Sequence, residues 1–338
     1  MKATVIGAGV AGLTCAVELA ARGVDVEVLE RSRSLGERAC SWQAGGMLAP
    51  WCERESAEPL VARLGQEAIE WWADKFPGTV RHGTLVLAHG RDVAELNEFA
   101  ARTERFERID RERIANLEPD LAERFNQALY FPAEAHLDPR AALGALANRL
   151  GPRVRFGVEM TPALIRELQL AGRVVVNCTG LAARESLADL RGVKGEMIVI
   201  RIRELSLKRP VRVLHARLPL YVVPRADGLF MVGATMLESD DAGRVSVRSV
   251  LELLTAVYAL NPMFGEAEVV EIGTGVRPAF LDNLPRIRWR DGVVHVNGFF
   301  RHGFLLAPAL ARMAADVLLQ EARFPEVMDE DHRERRRA

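Results

Sequence analysis

The chain has 338 residues, of which 49% are hydrophobic and 27% charged, and its 45 Lys and Arg residues nearly balance 46 Asp and Glu residues for a net charge of −1. This composition is typical of a globular protein with about two domains, and it excludes a small fold held together by disulfides. A pI near 6.7 indicates no basic field, so we expect neither nucleic acid nor a membrane as a partner.

The cysteines are spread along the chain without a C-x-x-C pair, at Cys15, Cys40, Cys52 and Cys178. This spacing predicts free thiols in a reducing compartment and no metal site. The apolar run at the N-terminus is short and interrupted by glycines, and no stretch approaches the roughly 18 uncharged apolar residues of a membrane span. We therefore expect a cytoplasmic protein.

The N-terminal segment predicts a nucleotide-binding βαβ unit. The β-branched run Ala3–Ile6 leads into Gly7-Ala8-Gly9-Val10-Ala11-Gly12, then a helix to Arg22 and a second strand ending at Glu30. The first glycine permits a tight turn, the second lets the backbone approach a pyrophosphate, and the third lets helix and strand pack closely. Glu30 would accept hydrogen bonds from the adenosine ribose and repel a 2′-phosphate, which disfavours NADP.

A second glycine-containing loop follows this unit: Cys40-Ser41-Trp42-Gln43-Ala44-Gly45-Gly46-Met47-Leu48-Ala49-Pro50. Its tryptophan, methionine and leucine are too apolar for an ordinary solvent loop. Gly45 and Gly46 would let the backbone lie close to a planar ligand. We interpret the segment as a buried loop that touches the cofactor.

Further along, helices are predicted near 60–76, within the charged stretch 92–113, and over 138–150 and 246–260. Val174–Asn177 predicts a buried parallel strand. From Gly195 to Val232 the alternation favours antiparallel strands, with a hairpin turn at 225–228.

A second junction of strand, glycine-flanked turn and helix lies near the C-terminus. Strand Val293–Asn297 leads through the turn 298–303 into the apolar helix Leu305–Leu319. Two helix N-termini directed into one fold would suit a long dinucleotide such as FAD, one at the pyrophosphate and one near the flavin.

Together these segments resemble the D-amino-acid oxidase superfamily of flavoenzymes, and within it the glycine oxidase branch. The resemblance covers nearly the whole chain. It is carried by 7–12 with Glu30, by 44–50, and by four segments in a telling order: Tyr221-Val222-Val223-Pro224-Arg225, Val232-Gly233-Ala234-Thr235-Met236, Gly275-Val276-Arg277-Pro278, and Asn297-Gly298-Phe299-Phe300-Arg301-His302-Gly303-Phe304-Leu305-Leu306-Ala307-Pro308.

The resemblance implies an α/β (α+β) fold with a Rossmann-like FAD-binding domain and a second, antiparallel-sheet substrate domain. The expected FAD-binding domain is discontinuous, over 1–76, 137–195 and 270–325. The substrate domain is expected over 77–136 and 196–269, and a charged tail over 326–338.

The resemblance also implies FAD-dependent oxidative deamination of glycine or another small amino acid, such as a D-amino acid or sarcosine. Hydride would pass to flavin N5, and the products would be an imine or glyoxylate, ammonia and, with molecular oxygen, hydrogen peroxide. In this branch the reaction serves thiazole synthesis for thiamine. Non-covalent FAD is expected, because the covalent members use a cysteine near the C-terminal flavin loop. A homo-oligomer such as a tetramer is also implied.

Site residues follow from matching the motifs. Arg277 matches the arginine that binds the substrate carboxylate, Tyr221 its hydroxyl partner, and Arg301 the arginine of the final loop; Met47 and Met236 match apolar walls. A guanidinium suits this role because it meets a buried carboxylate with two parallel hydrogen bonds. The expected cofactor-binding residues are Gly7, Gly9, Val10, Ala11, Gly12, Glu30, Arg31, Ala44, Gly45, Gly46, Met47, Thr179, Gly180, Arg277, Phe300, Arg301, His302, Gly303, Phe304 and Leu305.

Two alternatives stay open. One is an FAD-dependent D-amino-acid or sarcosine dehydrogenase that passes electrons to an acceptor other than oxygen, and the other is a nucleotide-binding redox sensor without enzymatic activity. The sequence departs from the family pattern at Trp42 and in the short stretch between Phe156 and Val174, which bears on substrate size.

Overall fold

The computed structural model describes residues 1–215 and 220–328, so positions 329–338 of the expected charged tail lie outside the described residues. Its helices are α1 (Val10–Ala21), α2 (Pro50–Glu53), α3 (Pro59–Gly65), α4 (Ala68–Lys75), α5 (Val93–Arg102), α6 (Arg111–Leu117), α7 (Pro139–Leu150), α8 (Pro162–Leu170), α9 (Val247–Leu260) and α10 (Gly303–Gln320). Its strands are β1 (Lys2–Ile6), β2 (Asp25–Glu30), β3 (Met47–Leu48), β4 (Thr84–Ala88), β5 (Glu107–Asp110), β6 (Gln127–Phe131), β7 (Ala135–His136), β8 (Val154–Phe156), β9 (Arg173–Asn177), β10 (Arg191–Arg201), β11 (Val211–Leu214), β12 (Leu220–Pro224), β13 (Leu229–Gly233), β14 (Glu268–Ala279), β15 (Arg286–Arg290) and β16 (Val293–Asn297).

The smaller of the two principal sheets has the order β15-β16-β9-β1-β2-β8. Strand β1 pairs in parallel with β2 and β9, and only β15 runs antiparallel to its neighbour in this sheet. Helices α1, α7 and α10 pack with it in one apolar core. Most residues in the middle of its central strands β1 and β9 are apolar, because apolar clusters cover both faces of the sheet. The predicted Rossmann-like arrangement is confirmed.

The larger sheet has the order β14-β10-β13-β12-β11-β4-β6-β5. Its pairs are antiparallel except for β4 and β11. One face packs on α9, where Ile198, Val222 and Val232 meet Leu253 and Val257 in a second apolar core. Because α9 covers this face of the sheet, we expect a site on the opposite face.

The expected boundaries after residues 195 and 269 fall inside strands. Strands β10 and β14 run unbroken in the larger sheet and pair with each other from Arg191 opposite Ala279 to Arg201 opposite Glu268. The switch between the two sheets therefore lies before Arg191 and after Ala279. The division into two folding domains stays a prediction. The expected tail also starts too early, since Val327 is buried and its carbonyl accepts a hydrogen bond from Ile287 N–H at 2.8 Å.

Local signals explain most element boundaries. The helix predicted from Asp138 is confirmed as α7, and the Asp138 carboxylate caps it by accepting from Arg140 N–H at 2.8 Å. The helix predicted over 60–76 is split into α3 and α4. The charged stretch 92–113 contains strand β5 between two helices, because that strand pairs with the distant β6.

Among the described helices, α10 has the length and apolar composition that could cross a membrane, and 67% of it is buried inside the protein. Its apolar residues pack in the core with α1. The burial follows from its position, because α10 begins directly after β16 and covers the smaller sheet.

Candidate active site

The turn after β1 is built by glycines. Gly7 has φ +98°, and a Cβ there would lie 2.8 Å from the Cys178 carbonyl oxygen. A Cβ on Gly12 would overlap the carbonyl oxygen of Gly7. A Cβ on Gly9, by contrast, would meet nothing closer than Ser41 Oγ at 3.5 Å. Gly7 and Gly12 are therefore required by protein packing, whereas Gly9 borders space that a ligand could use.

Two helix N-termini adjoin at this turn. Val10 starts α1, and a Cβ on Gly303, the first residue of α10, would lie 3.2 Å from Val10 Cγ1. Backbone N–H groups in the first turn of a helix lack intrahelical partners and carry the positive end of the dipole. Val10 N–H donates to Ser41 Oγ at 3.3 Å. Both predicted helix N-termini are thus present and close together. Binding of the pyrophosphate at one and of the flavin near the other stays a prediction.

Glu30 stands at the end of β2 with its carboxylate held in place. Oε2 accepts from Ala8 N–H and Oε1 from Ser32 N–H, both at 2.8 Å. Each oxygen retains acceptor capacity for a ribose hydroxyl. The neighbouring Arg31 is exposed.

The turn after β9 lies on the other side of the glycine turn. Thr179 Oγ1 donates to Asn177 Oδ1 at 2.8 Å, and the Gly180 carbonyl accepts from Asn297 Nδ2 at 2.8 Å. Its backbone contacts Gly7, so the predicted segments at 7–12, 30 and 179–180 meet at one end of the smaller sheet. The residues present fit the ADP portion of FAD.

One row of paired residues crosses the open face of the larger sheet: Arg212, Tyr221, Gly233, Met197 and Gly273, on β11, β12, β13, β10 and β14. Residues paired across strands project from the same face. The glycines let neighbouring side chains approach the sheet closely: Tyr221 lies over Gly233, and Gln43 lies over Gly273.

The loop 40–50, which contains Gly45 and Gly46, covers this row. A Cβ on Gly45 would lie 3.0 Å from Tyr221 Cε2, and one on Gly273 would lie 2.7 Å from Gln43 Oε1. The loop is fastened by Arg140, which donates to Gln43 Oε1 at 3.1 Å and forms two 2.8 Å hydrogen bonds with Glu271. The predicted buried loop therefore lies between the glycine turn and the larger sheet.

Arg277 projects from β14 on the same face. Its guanidinium lies over the Gly195 backbone, and Nη1 donates to the Thr235 carbonyl at 3.1 Å. Tyr221 is half-buried nearby, and loss of hydration raises the pKa of its hydroxyl. The remaining Arg277 donors could receive a carboxylate beside this hydroxyl.

Apolar side chains complete the surroundings of Tyr221. Met47 and Tyr221 pack against the cluster formed by Met197, Val199, Val223 and Met231. A small aliphatic ligand held at Arg277 would thus meet an apolar wall on the sheet side.

An ionic cluster around the buried Glu53 adjoins Tyr221. The Glu53 carboxylate contacts the guanidinium of Arg212, lies 2.8 Å from Arg301 Nη2, and lies 3.3 Å from His302 Nδ1. Burial by itself would raise the pKa of Glu53, but Arg212 and then Arg301 hold it well below its usual range. Burial lowers the pKa of His302 to about 4, so this imidazole is neutral near pH 7.

Three predicted site residues have surroundings that the sequence did not indicate. Met236 is 56% exposed, so its role as a wall is a prediction that this structure leaves open. The side chains of Phe304 and Leu305 pack into the core, where Trp72 Nε1 donates to the Phe304 carbonyl at 2.8 Å and Leu305 covers Gly65. They could meet a cofactor through backbone N–H groups rather than side chains.

Sequence reasoning missed Ser41, Gln43, Glu53 and Arg212. The position of Arg212 depends on strand register, which no local pattern reveals. Glu53 did leave a signal, since it is an acidic residue directly after the apolar stretch Met47–Cys52. A carboxylate in that position requires a cationic partner from elsewhere in the chain.

Comparisons with known proteins agree with this geometry. Residues 2–317 match the family described as FAD dependent oxidoreductase. A protein of Rhizobium etli, described as a putative thiamine biosynthesis oxidoreductase ThiO, is 53% identical over 328 residues, covering 96% of this chain and 99% of that protein. The glycine oxidase of Bacillus licheniformis is 28% identical and covers 93% of this chain and 92% of its own.

The fold is shared with solved structures. The crystal structure of glycine oxidase from Geobacillus kaustophilus superimposes with a TM-score of 0.76 at 23% identity, covering 95% of both chains. The predicted fold class is confirmed. The chain belongs to the family of FAD-dependent oxidoreductases, and the prediction of an enzyme with FAD as its cofactor is confirmed.

Proposed function

We propose that this enzyme oxidises glycine, or a similarly small amino acid, to the imine, while molecular oxygen is reduced to hydrogen peroxide. Water converts the imine to the corresponding 2-oxo acid and amine, which for glycine are glyoxylate and ammonia. The observation that carries the proposal is the position of Arg277 near the half-buried Tyr221, next to the FAD-fitting turn. The name of the Bacillus licheniformis relative, glycine oxidase, supports it.

The chain's own residues have three tasks in this reaction. Arg277 holds the substrate carboxylate in a charge-assisted pair, and Tyr221 donates its hydroxyl to the same group. Met47 and the apolar cluster below it exclude water from the α-carbon. Bound FAD would supply the hydride acceptor, so orientation rather than a side-chain base is the protein's main contribution.

We assign the reaction to thiamine biosynthesis, where an imine of glycine would be consumed in thiazole formation. The name of the Rhizobium etli relative supports this role, at 53% identity and nearly full coverage of both chains.

Three finer features also belong to the proposal. Cys15, Cys40, Cys52 and Cys178 are free of disulfides, which supports a cytoplasmic location. None of them falls in the C-terminal flavin loop 297–308, which supports non-covalent FAD. Self-association, in a tetramer or a smaller oligomer, is expected from the family resemblance and is tested by light scattering. A measured mass equal to that of one chain would reject self-association.

The experiment is the visible spectrum of the purified protein, recorded without oxygen before and after addition of glycine, sarcosine or D-alanine. We expect flavin bands that bleach with glycine, and peroxide when air is admitted. Bleaching without peroxide would favour the dehydrogenase, with another electron acceptor. Flavin bands that no amine bleaches would reject the proposed substrate and favour the redox sensor.

A further inference from the structure

The ionic cluster around Glu53 joins three distant parts of the chain. Glu53 ends α2, Arg212 belongs to β11, and Arg301 and His302 lie in the turn that starts α10. Arg301 is held further by Ser56 Oγ, 2.8 Å from its Nη2. The carboxylate is therefore the shared partner of the larger sheet and of the turn before α10.

The cluster contains more positive than negative charges. His302 is neutral near pH 7, so a single carboxylate faces the guanidinium groups of Arg212 and Arg301. The next carboxyl group is Glu134, and burial raises its pKa to about 7. Below that pH it supplies little negative charge to Arg212.

This cluster borders the substrate pocket. Arg212 is paired with Tyr221 across β11 and β12, so both side chains project from the same face a few ångströms apart. Arg277 lies on that face too. The Tyr221 hydroxyl interacts electrostatically with the guanidinium groups of Arg277, Arg212 and Arg301. Among the described residues, Arg212 and Arg301 have Glu53 as a carboxylate partner, and Arg277 has none.

We propose that Glu53 is a positioning residue that sets the charge selectivity of the pocket. By pairing with Arg212 and Arg301 it leaves Arg277 as the guanidinium that takes a carboxylate, and it thereby favours amino acids with one carboxylate over those with two. This inference rests on the proposed function. The physical reason is that an uncompensated guanidinium in a site of low dielectric attracts a second carboxylate strongly.

The test measures binding rather than turnover. FAD-loaded protein is titrated with acetate and with malonate at about pH 6, where Glu134 is protonated, and the dissociation constants are read from the flavin spectrum. In Glu53→Gln we expect the ratio of malonate to acetate dissociation constants to fall about tenfold, because the volume is kept while the negative charge is lost. Glu53→Asp should restore the ratio to within about threefold of the wild-type value.

Glu118→Gln is the matched control. Glu118 is also fully buried and paired with an arginine, with Oε1 2.7 Å from Arg209 Nε, but neither residue contacts Tyr221 or Arg277. Its ratio should stay at the wild-type value. An unchanged ratio in Glu53→Gln, or an equal shift in Glu118→Gln, would overturn the proposal.

If Glu53→Gln does not hold flavin, Arg301→Gln provides the opposite test. This variant leaves Arg212 as the one arginine paired with Glu53. The ratio of malonate to acetate dissociation constants should therefore rise at least about threefold, because malonate binds more weakly. A ratio that stays constant or falls would reject the role of Glu53. Failure of glycine to bleach the wild-type flavin, with these shifts intact, would reject the proposed substrate and leave the charge selectivity in place.

Discussion

The guanidinium of Arg277 lies directly over the backbone of Gly195, at a distance that leaves no room for a side chain there. A Cβ at residue 195 would come well under 3.0 Å from three guanidinium atoms, a separation that real Cβ atoms do not show. Gly195 lies on β10 and Arg277 on the neighbouring β14. The missing side chain of Gly195 therefore provides the space that the guanidinium occupies.

Gly195→Ala should therefore displace Arg277 and raise the KM for glycine by about tenfold, because the carboxylate contact loses its geometry. Steady-state kinetics measure the change. Gly144→Ala is the control, since a Cβ there meets nothing within 4 Å in α7. Unchanged kinetics in Gly195→Ala would contradict the assigned position of Arg277.

Arg277→Ala should reduce kcat/KM for glycine by roughly 10- to 150-fold or more, the loss expected for a hydrogen-bonded charge pair of about 1.5–3 kcal/mol. Flavin content should stay the same. The control is Arg201→Ala. Arg201 is the last residue of β10 and forms an exposed pair with Glu268, so its substitution should change neither kcat/KM nor flavin content. Equal glycine kinetics in Arg277→Ala and wild type would remove Arg277 from the site.

Two glycines of the turn after β1 are expected to have different roles, Gly9 in cofactor contact and Gly12 in protein packing. Gly9→Ala should fold with a Tm close to that of the wild-type apoprotein and lose most of its FAD, because its Cβ meets only Ser41 but enters the pyrophosphate space. Gly12→Ala should lower the Tm itself, because its Cβ overlaps the Gly7 carbonyl. Flavin content and thermal melts distinguish the two variants, and full FAD retention in Gly9→Ala would place the pyrophosphate elsewhere.

Glu134 predicts a pH-dependent stability. Its Oε1 accepts from Cys52 N–H at 2.7 Å, and burial raises its pKa to about 7 from the usual 4.5. Between these values the unfolded chain is ionised while the folded chain holds the proton, so stability falls as pH rises and the loss is complete above about 7. Glu134→Gln should match the wild type near pH 4.5 and exceed it by about 3 kcal/mol near pH 9.

Thermal or urea melts at the two pH values test this expectation. A wild-type protein that is as stable at the higher pH as Glu134→Gln would show that the carboxyl group ionises without cost in the fold. His136, buried two residues later, is kept unchanged in both proteins so that its own titration cancels.

The amino-acid sequence by itself determined the nucleotide unit and predicted the candidate site residues. Gly7, Gly9, Gly12 and Glu30 lie within one short βαβ segment, so their spacing already specifies the turn and the acidic end of β2. Arg277 and Tyr221 could be predicted as site residues because their flanking motifs resemble those of a known family.

Only the tertiary structure decided what surrounds them. The pairing of Arg212 with Tyr221 depends on the register of β11 and β12, and the contacts of Glu53 join residues 159 and 248 positions further along the chain. The extension of β10 and β14 across the expected domain boundaries has the same origin, since each strand is stabilised by its partner. Such pairings are set by long-range packing and burial, and no local pattern of residues encodes them.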